Sequence, residues 1–139
     1  MSVSADDKHA ILELLARSAY AYDERKLDML EACFTQDAAF SIQIAGAPEL
    51  MGPFEGREAI MGLYRGSLEA QTDVRRHVVS NVLFESEGDE PEVVSYLTLF
   101  ATEDGAAKLL CTGVYRDQVQ RKSDGWAIHR RHLDLDSPY

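Results

Sequence analysis

Among the side chains able to move a proton near neutral pH, His77 occupies the most suggestive setting. It lies in Arg75-Arg76-His77-Val78-Val79-Ser80-Asn81, a run with the composition of a half-buried strand. An unperturbed imidazole titrates at about 6.5, so it can both take and return a proton at working pH. Taken alone, His77 beside two arginines reads first as a partly buried strand histidine satisfied by a nearby carboxylate. Asp23 falls at the C-terminal end of a helical pattern, where the macrodipole opposes a negative charge. A local conflict of that kind favours a functional role over a merely polar helix end. Tyr20 and Tyr22 precede it, and helical geometry lets only one of them face a given side squarely. His129 and His132 with Arg130 and Arg131 resemble a metal or phosphate cluster. On a strand, however, residues three apart point to opposite faces, so these are expected to be surface or interface charges. Asp134-Leu135-Asp136 lacks the rest of a calcium loop. There is no Gly-rich phosphate loop, nucleophile elbow, zinc spacing or dinucleotide fingerprint, and no metal or cofactor is expected.

The elements that must position these groups follow from periodicity. Ser4, three residues before Asp7, caps a helix whose stripe is Ile11, Leu14, Leu15, Ser18, Ala19 and Tyr22. Tyr22, rather than Tyr20, continues that stripe. Leu27, Leu30, Cys33 and Phe34 form a second, shorter helix ending near Thr35-Gln36-Asp37. Ala38 to Ile44 alternates as a strand through Phe40, Ile42 and Ile44, and a loop with Gly46, Pro48, Gly52 and Pro53 follows. A third helix runs from Arg57 to about Ala70 with Ile60, Met61, Leu63, Tyr64 and Leu68 on its face. Arg75 to Glu85, Glu92 to Thr102, Lys108 to Lys122 and Trp126 to Leu135 are strands separated by hairpin chemistry rich in Gly and Asp, hence an antiparallel meander. Helices in the first half and hairpins in the second mean α+β, with three helices covering one face of a strongly curved antiparallel sheet. In the first long strand His77, Val79, Asn81 and Leu83 share one side, and Arg76, Val78, Ser80, Val82 and Phe84 the other. Both sides are largely apolar, so the second is expected to be covered by another copy, a homodimer through the sheet.

The 139 residues suit one domain, residues 1–139, and 45% hydrophobic with 27% charged residues is the composition of an ordinary globular protein. A net charge of -10 argues against nucleic acid and anionic membranes as partners. No segment is apolar for long enough to span a bilayer. Cys33 and Cys111 have no CxxC spacing, and Met1-Ser2-Val3-Ser4 followed by acidic residues is unlike a secretory signal, so a cytoplasmic setting is expected.

Five short signatures occur in order along almost the whole chain: Ala19-Tyr20-Ala21-Tyr22-Asp23 with Leu27-Asp28 and Leu30, Cys33-Phe34-Thr35-Gln36-Asp37-Ala38, Phe54-Glu55-Gly56-Arg57-Glu58-Ala59-Ile60, Arg76-His77-Val78-Val79-Ser80-Asn81, and Asp124-Gly125-Trp126-Ala127-Ile128. With the element order, they resemble the nuclear transport factor 2-like superfamily, in particular its SnoaL-like and scytalone dehydratase-like branch. The resemblance implies a cone-shaped α+β barrel. It also implies a working dyad of an aspartate ending the first helix and a histidine opening the third strand, here Asp23 and His77. The carboxylate would fix the ring tautomer and stabilise the imidazolium, and Tyr22 would polarise a substrate carbonyl. Asn81 and Tyr115 are candidates for further hydrogen bonds to a substrate, with Phe40 and Tyr64 as its apolar walls. The chain departs from scytalone dehydratase where that enzyme has a second histidine: Leu109-Leu110-Cys111-Thr112-Gly113-Val114-Tyr115 contains none. The expected function is a cofactor-independent lyase or isomerase acting on a small, largely apolar polyketide-, steroid- or aromatic-like molecule. The alternative is a non-catalytic ligand binder or assembly subunit, similar to the small subunits of aromatic ring-hydroxylating dioxygenases.

Overall fold

The computed structural model describes residues 3–139; of the tetrapeptide read as a cytosolic start, Met1 and Ser2 lie outside the described residues. Helix α1 (Ala5–Asp23) opens on a capping box. The Asp7 N–H donates to the Ser4 hydroxyl (3.0 Å) and the Ser4 N–H to the Asp7 carboxylate (3.1 Å), which pairs two backbone donors that the first turn would otherwise leave open. Its buried stripe is Ile11, Leu14, Leu15, Ser18 and Ala21. Helix α2 (Leu27–Ala32) is shorter than its apolar spacing predicts. The Ile128 N–H donates to the Cys33 carbonyl (2.7 Å) and Phe34 already pairs with Ile128, so sheet hydrogen bonds take over the last residues of the expected helix. Strand β1 (Phe34–Ile44) accordingly starts at Phe34 and not at Ala38.

The Gly- and Pro-containing segment read as a loop holds a strand, β2 (Met51–Glu55), antiparallel to β1. It lies at the sheet edge, where Pro53 costs no ladder hydrogen bond. Gly52 has φ +88, and a Cβ there would sit 2.8 Å from the Phe40 carbonyl oxygen, so the position requires glycine. Helix α3 (Arg57–Ala70) follows, then the meander β3 (Val74–Ser86), β4 (Glu92–Glu103), β5 (Ala106–Lys122) and β6 (Gly125–Leu135). The six-stranded sheet has the order β2-β1-β6-β5-β4-β3. All its pairs are antiparallel except β1 with β6, because the last strand returns to lie alongside the first. Register shifts between β1 and β2, β3 and β4, β4 and β5, and β5 and β6 mark the bulges that bend the sheet around the helices, the α+β architecture expected.

Register arranges the helix-facing side chains in rows across the strands. His77, Leu99 and Cys111 form one row, and Val79, Leu97, Gly113, Leu135 and Ile44 the next. Ser95, Tyr115, Leu133 and Ile42 follow, and then Val93, Asp117, Arg131 and Phe40. Phe34, Ile11, Leu15, Leu30 and Ile60 are among the fully buried residues beneath α1 and α3, each worth about 1.5–3 kcal/mol of burial.

One bulge corrects the face assignment in β3. Ser80 pairs with Tyr96 and Leu83 with Val94, so β3 carries one extra residue there, and Asn81 absorbs it with φ 55. Asparagine tolerates that left-handed conformation better than most residues. The alternation therefore changes phase: Val82 and Phe84 pack on the core, while Asn81 and Leu83 are exposed. Asn81 does not share a side with His77 and does not line the cavity beside it.

Candidate functional site

The end of α1 is fastened to the start of β3 by a carboxylate. Asp23 accepts two hydrogen bonds from His77, from the backbone N–H at 2.8 Å and from ring Nδ1 at 2.5 Å. Glu24 adds a flanking bond from Arg76 at 2.9 Å, and Arg25, turning with φ 59, donates to the Leu68 carbonyl of α3 at 3.1 Å. The Asp23 and His77 side chains are 6% and 8% exposed, so little water competes for the pair. An ionised carboxylate only accepts, which puts the proton of the neutral ring on Nδ1 and leaves a lone pair on Nε2. His77 lines the cavity between sheet and helices, and no other protein group among the described residues hydrogen-bonds its ring.

That cavity measures about 350 Å³, within the range that takes a drug-sized molecule. Its walls are mostly apolar: Leu97, Leu99, Leu133 and Leu135 from the meander, Phe40, Ile42 and Ile44 from β1, Met51 from β2 and Leu63 from α3. The Tyr22 ring packs against His77 at 4.7 Å and edge-on to Tyr64 at 4.7 Å, and Tyr64 lies 6.0 Å from Phe40. These rings make one continuous aromatic side. The Tyr22 hydroxyl bonds the Ser67 hydroxyl at 2.5 Å, and the Gln71 amide donates to both, at 3.3 Å and 3.0 Å. Of the two hydroxyl protons in this cluster, one is used between Tyr22 and Ser67. The other remains for an acceptor in the cavity, which both residues line. Burial raises the Tyr22 phenol above its ordinary value, only partly offset by Ser67 and Gln71, so it stays protonated as a donor.

Beneath Tyr64 and Tyr115 lies a buried ion pair. Arg131 donates to both Asp117 carboxylate oxygens, at 2.7 Å and 3.1 Å, with side chains 3% and 0% exposed. Arg131 is thus a core residue and not the surface charge expected from its neighbours. The inward alternation of β6 carries it into the row of Asp117 and Phe40. His129 and His132 of that apparent cluster take separate partners: Glu90 and Asp37 for the first, Ser41 and Asp134 for the second. At the other end Pro138 and Tyr139 border the cavity, with the Arg75 guanidinium 5.4 Å from the Tyr139 ring.

Of the residues singled out from sequence, His77, Tyr22, Tyr64, Tyr115 and Phe40 line this one cavity, and Asp23 stands behind His77. Asn81 lies outside it, and Tyr20 is 53% exposed on the far side of α1. Sequence reasoning missed Ser67 and Gln71, although Ser67 follows Tyr64 on one face of α3 and Gln71 is that helix's C-cap. It also missed the Arg131–Asp117 pair and the tail residues Pro138 and Tyr139, which carry no local signal.

A model of the SnoaL-like domain matches residues 3–132. An uncharacterised protein of Mycobacterium tuberculosis is 27% identical over 127 residues, covering 90% of this chain and 82% of its own. Among solved structures, a Nostoc punctiforme protein of unknown function with a cystatin-like fold superposes with a TM-score of 0.82 at 26% identity, covering 98% of this chain and 96% of that one. A Novosphingobium aromaticivorans protein described as the β subunit of an aromatic-ring-hydroxylating dioxygenase has a TM-score of 0.80 at 17% identity, over 94% of this chain and 90% of its own, and shares the fold. Since the family model spans nearly the whole chain and the cystatin-like architecture agrees with it, the protein belongs to the SnoaL-like domain family of nuclear transport factor 2-like proteins.

Proposed function

We propose that the chain, folded as a single domain, is a cofactor-independent lyase or isomerase. Its substrate is a small, largely apolar ring compound carrying a carbonyl, of the polyketide, steroid or aromatic kind. The observation that carries this reading is the Asp23–His77 pair with the ring's second nitrogen open to an apolar cavity. His77 Nε2 takes a proton from a carbon next to the carbonyl while the spare O–H of the Tyr22–Ser67 cluster donates to the oxygen that becomes negative. Asp23 steadies the imidazolium so formed. The imidazolium then returns its proton to another carbon, completing an isomerisation, or to a departing hydroxide, completing a dehydration.

The test needs only an enolisable probe. In D2O the protein is expected to accelerate deuterium exchange into 2-tetralone, followed by proton NMR, and His77→Asn to lower that acceleration at least ~10²-fold. Equal acceleration by the two proteins sinks the proposal.

A second reading, assembly without catalysis, is favoured by the outer sheet face, where Val78, Tyr96, Phe100 and Leu109 are 39% to 55% exposed. The likeness to a dioxygenase β subunit supports the same reading. We take the partner on that face to be a second copy of this chain, which is compatible with an active cavity on the opposite face. Two buried free thiols, Cys33 and Cys111, support a reducing, cytoplasmic setting. Among the described residues no helix is long and apolar enough to cross a membrane.

A further inference from the structure

The Tyr115 hydroxyl stands apart from the other polar groups around the cavity. Tyr22 and Ser67 are bonded to each other, His77 to Asp23, and Arg131 to Asp117, with the Tyr64 hydroxyl interacting with the Arg131 guanidinium. Tyr115 is only 6% exposed, yet among the described residues no protein group hydrogen-bonds its oxygen. Nor is that oxygen sealed in the core: among the described residues the sealed, unpartnered side-chain atom is Ser95 Oγ, on the residue facing Tyr115 across β4 and β5. A phenol almost wholly buried, unbonded and unsealed opens on the cavity it lines. Buried phenols ordinarily find a partner, so this one awaits an acceptor supplied by the ligand. Burial raises its pKa and keeps it protonated, a donor across the working pH range. The ring is held from behind, with the Arg131 guanidinium 4.2 Å from its centre and itself locked by two bonds to Asp117.

The position of this donor constrains the ligand. Cys111 shares the row of His77, and the Tyr115 backbone lies four residues farther along the same strand, so the two rows are about 13 Å apart at roughly 3.3 Å per residue. Between them the cavity is walled by the rings of Tyr22, Tyr64 and Phe40 and by leucines, with no charged side chain among the described residues that line it. We propose that Tyr115 anchors a hydrogen-bond-accepting oxygen of the ligand away from His77, so that it selects substrates carrying a second oxygen function besides the one at the reacting end. This rests on the reading of the cavity as a ligand site with His77 at its reacting end. Arg131 is a positioning residue for the anchor.

The experiment compares two probes of similar shape, 2-acetonaphthone with an acceptor oxygen and 2-ethylnaphthalene without one, by titrating the full chain and following probe fluorescence. Tyr115→Phe is expected to weaken the ketone about 3- to 10-fold, the worth of one hydrogen bond, and to leave the hydrocarbon within about 2-fold. Circular dichroism checks that the variant is folded. The bound ketone's carbonyl ¹³C resonance, shifted downfield in the parent protein and not in Tyr115→Phe, is the second readout. Equal effects on both probes, no effect on either, or no binding of either to the parent at millimolar concentration overturns the anchor. A preference for the ketone that disappears in His77→Asn and survives in Tyr115→Phe also overturns it, while leaving the acid–base reading intact. Conversely, unimpaired deuterium exchange in His77→Asn with the Tyr115 preference present defeats the acid–base reading alone.

Discussion

Replacing Asp23 by Asn keeps the shape of the side chain and removes its capacity to accept twice. The carboxylate now takes the His77 N–H at 2.8 Å and ring Nδ1 at 2.5 Å. An amide has one oxygen and one NH2 group. If its oxygen keeps the backbone N–H, its NH2 faces Nδ1, the ring proton moves to Nε2, and the nitrogen open to the cavity has no lone pair to receive a proton. If the amide turns over, NH2 confronts N–H and a buried backbone donor is left unpaired. Either arrangement loses one charge-assisted bond in a place only 6% exposed, so the fold should lose about 1.5–3 kcal/mol. The proton-transfer rate should fall about 10²- to 10⁴-fold, the usual worth of a positioned general base. Deuterium exchange into 2-tetralone measures the rate, urea denaturation the stability, and ¹⁵N NMR of the labelled ring the tautomer. An Asp23→Asn protein that keeps its proton on Nδ1 and exchanges within about 3-fold of the parent would refute the reasoning.

Alkaline stability tests the burial of the aromatic side of the cavity. Burial raises the phenols of Tyr22, Tyr64 and Tyr115, so the folded chain holds protons that the unfolded chain releases above pH ~10. Their contribution is complete below that pH and is lost as pH rises toward the folded-state values. Above pH ~10 the slope for each approaches about 1.4 kcal/mol per pH unit, and Tyr115→Phe should remove one such increment from the total slope in urea titrations at about pH 10 to 12. An unchanged slope contradicts the burial of Tyr115. For the outer face, light scattering at micromolar concentration should give the mass of two chains, and Phe100→Asp should return it to one, because a charge on an apolar interface loses its solvation without gaining a partner. A parent protein that scatters as a monomer removes the dimer.

Helix–strand order and the choice of Tyr22 over Tyr20 were readable from the chain itself, since side-chain period is a property of each element taken alone: 3.6 residues sort α1, and two sort β4 to β6. The same logic failed at three places where a distant partner intervenes. Pairing with β6 drew Phe34 out of the second helix, pairing with β1 made a strand of a Gly- and Pro-containing segment, and one extra residue at Asn81 reversed the faces of β3. The dyad was legible only through its resemblance to a family pattern; nothing local to Asp23 or His77 states that they meet. Their bond depends on where the end of α1 crosses β3, and the Arg131–Asp117 pair depends on the register of β5 with β6. Periodicity tells which way a side chain points along its own element, whereas the groups it meets are set by register, bulges and helix docking, which are decided by the energy of the whole packed core and have no counterpart in any short stretch of sequence.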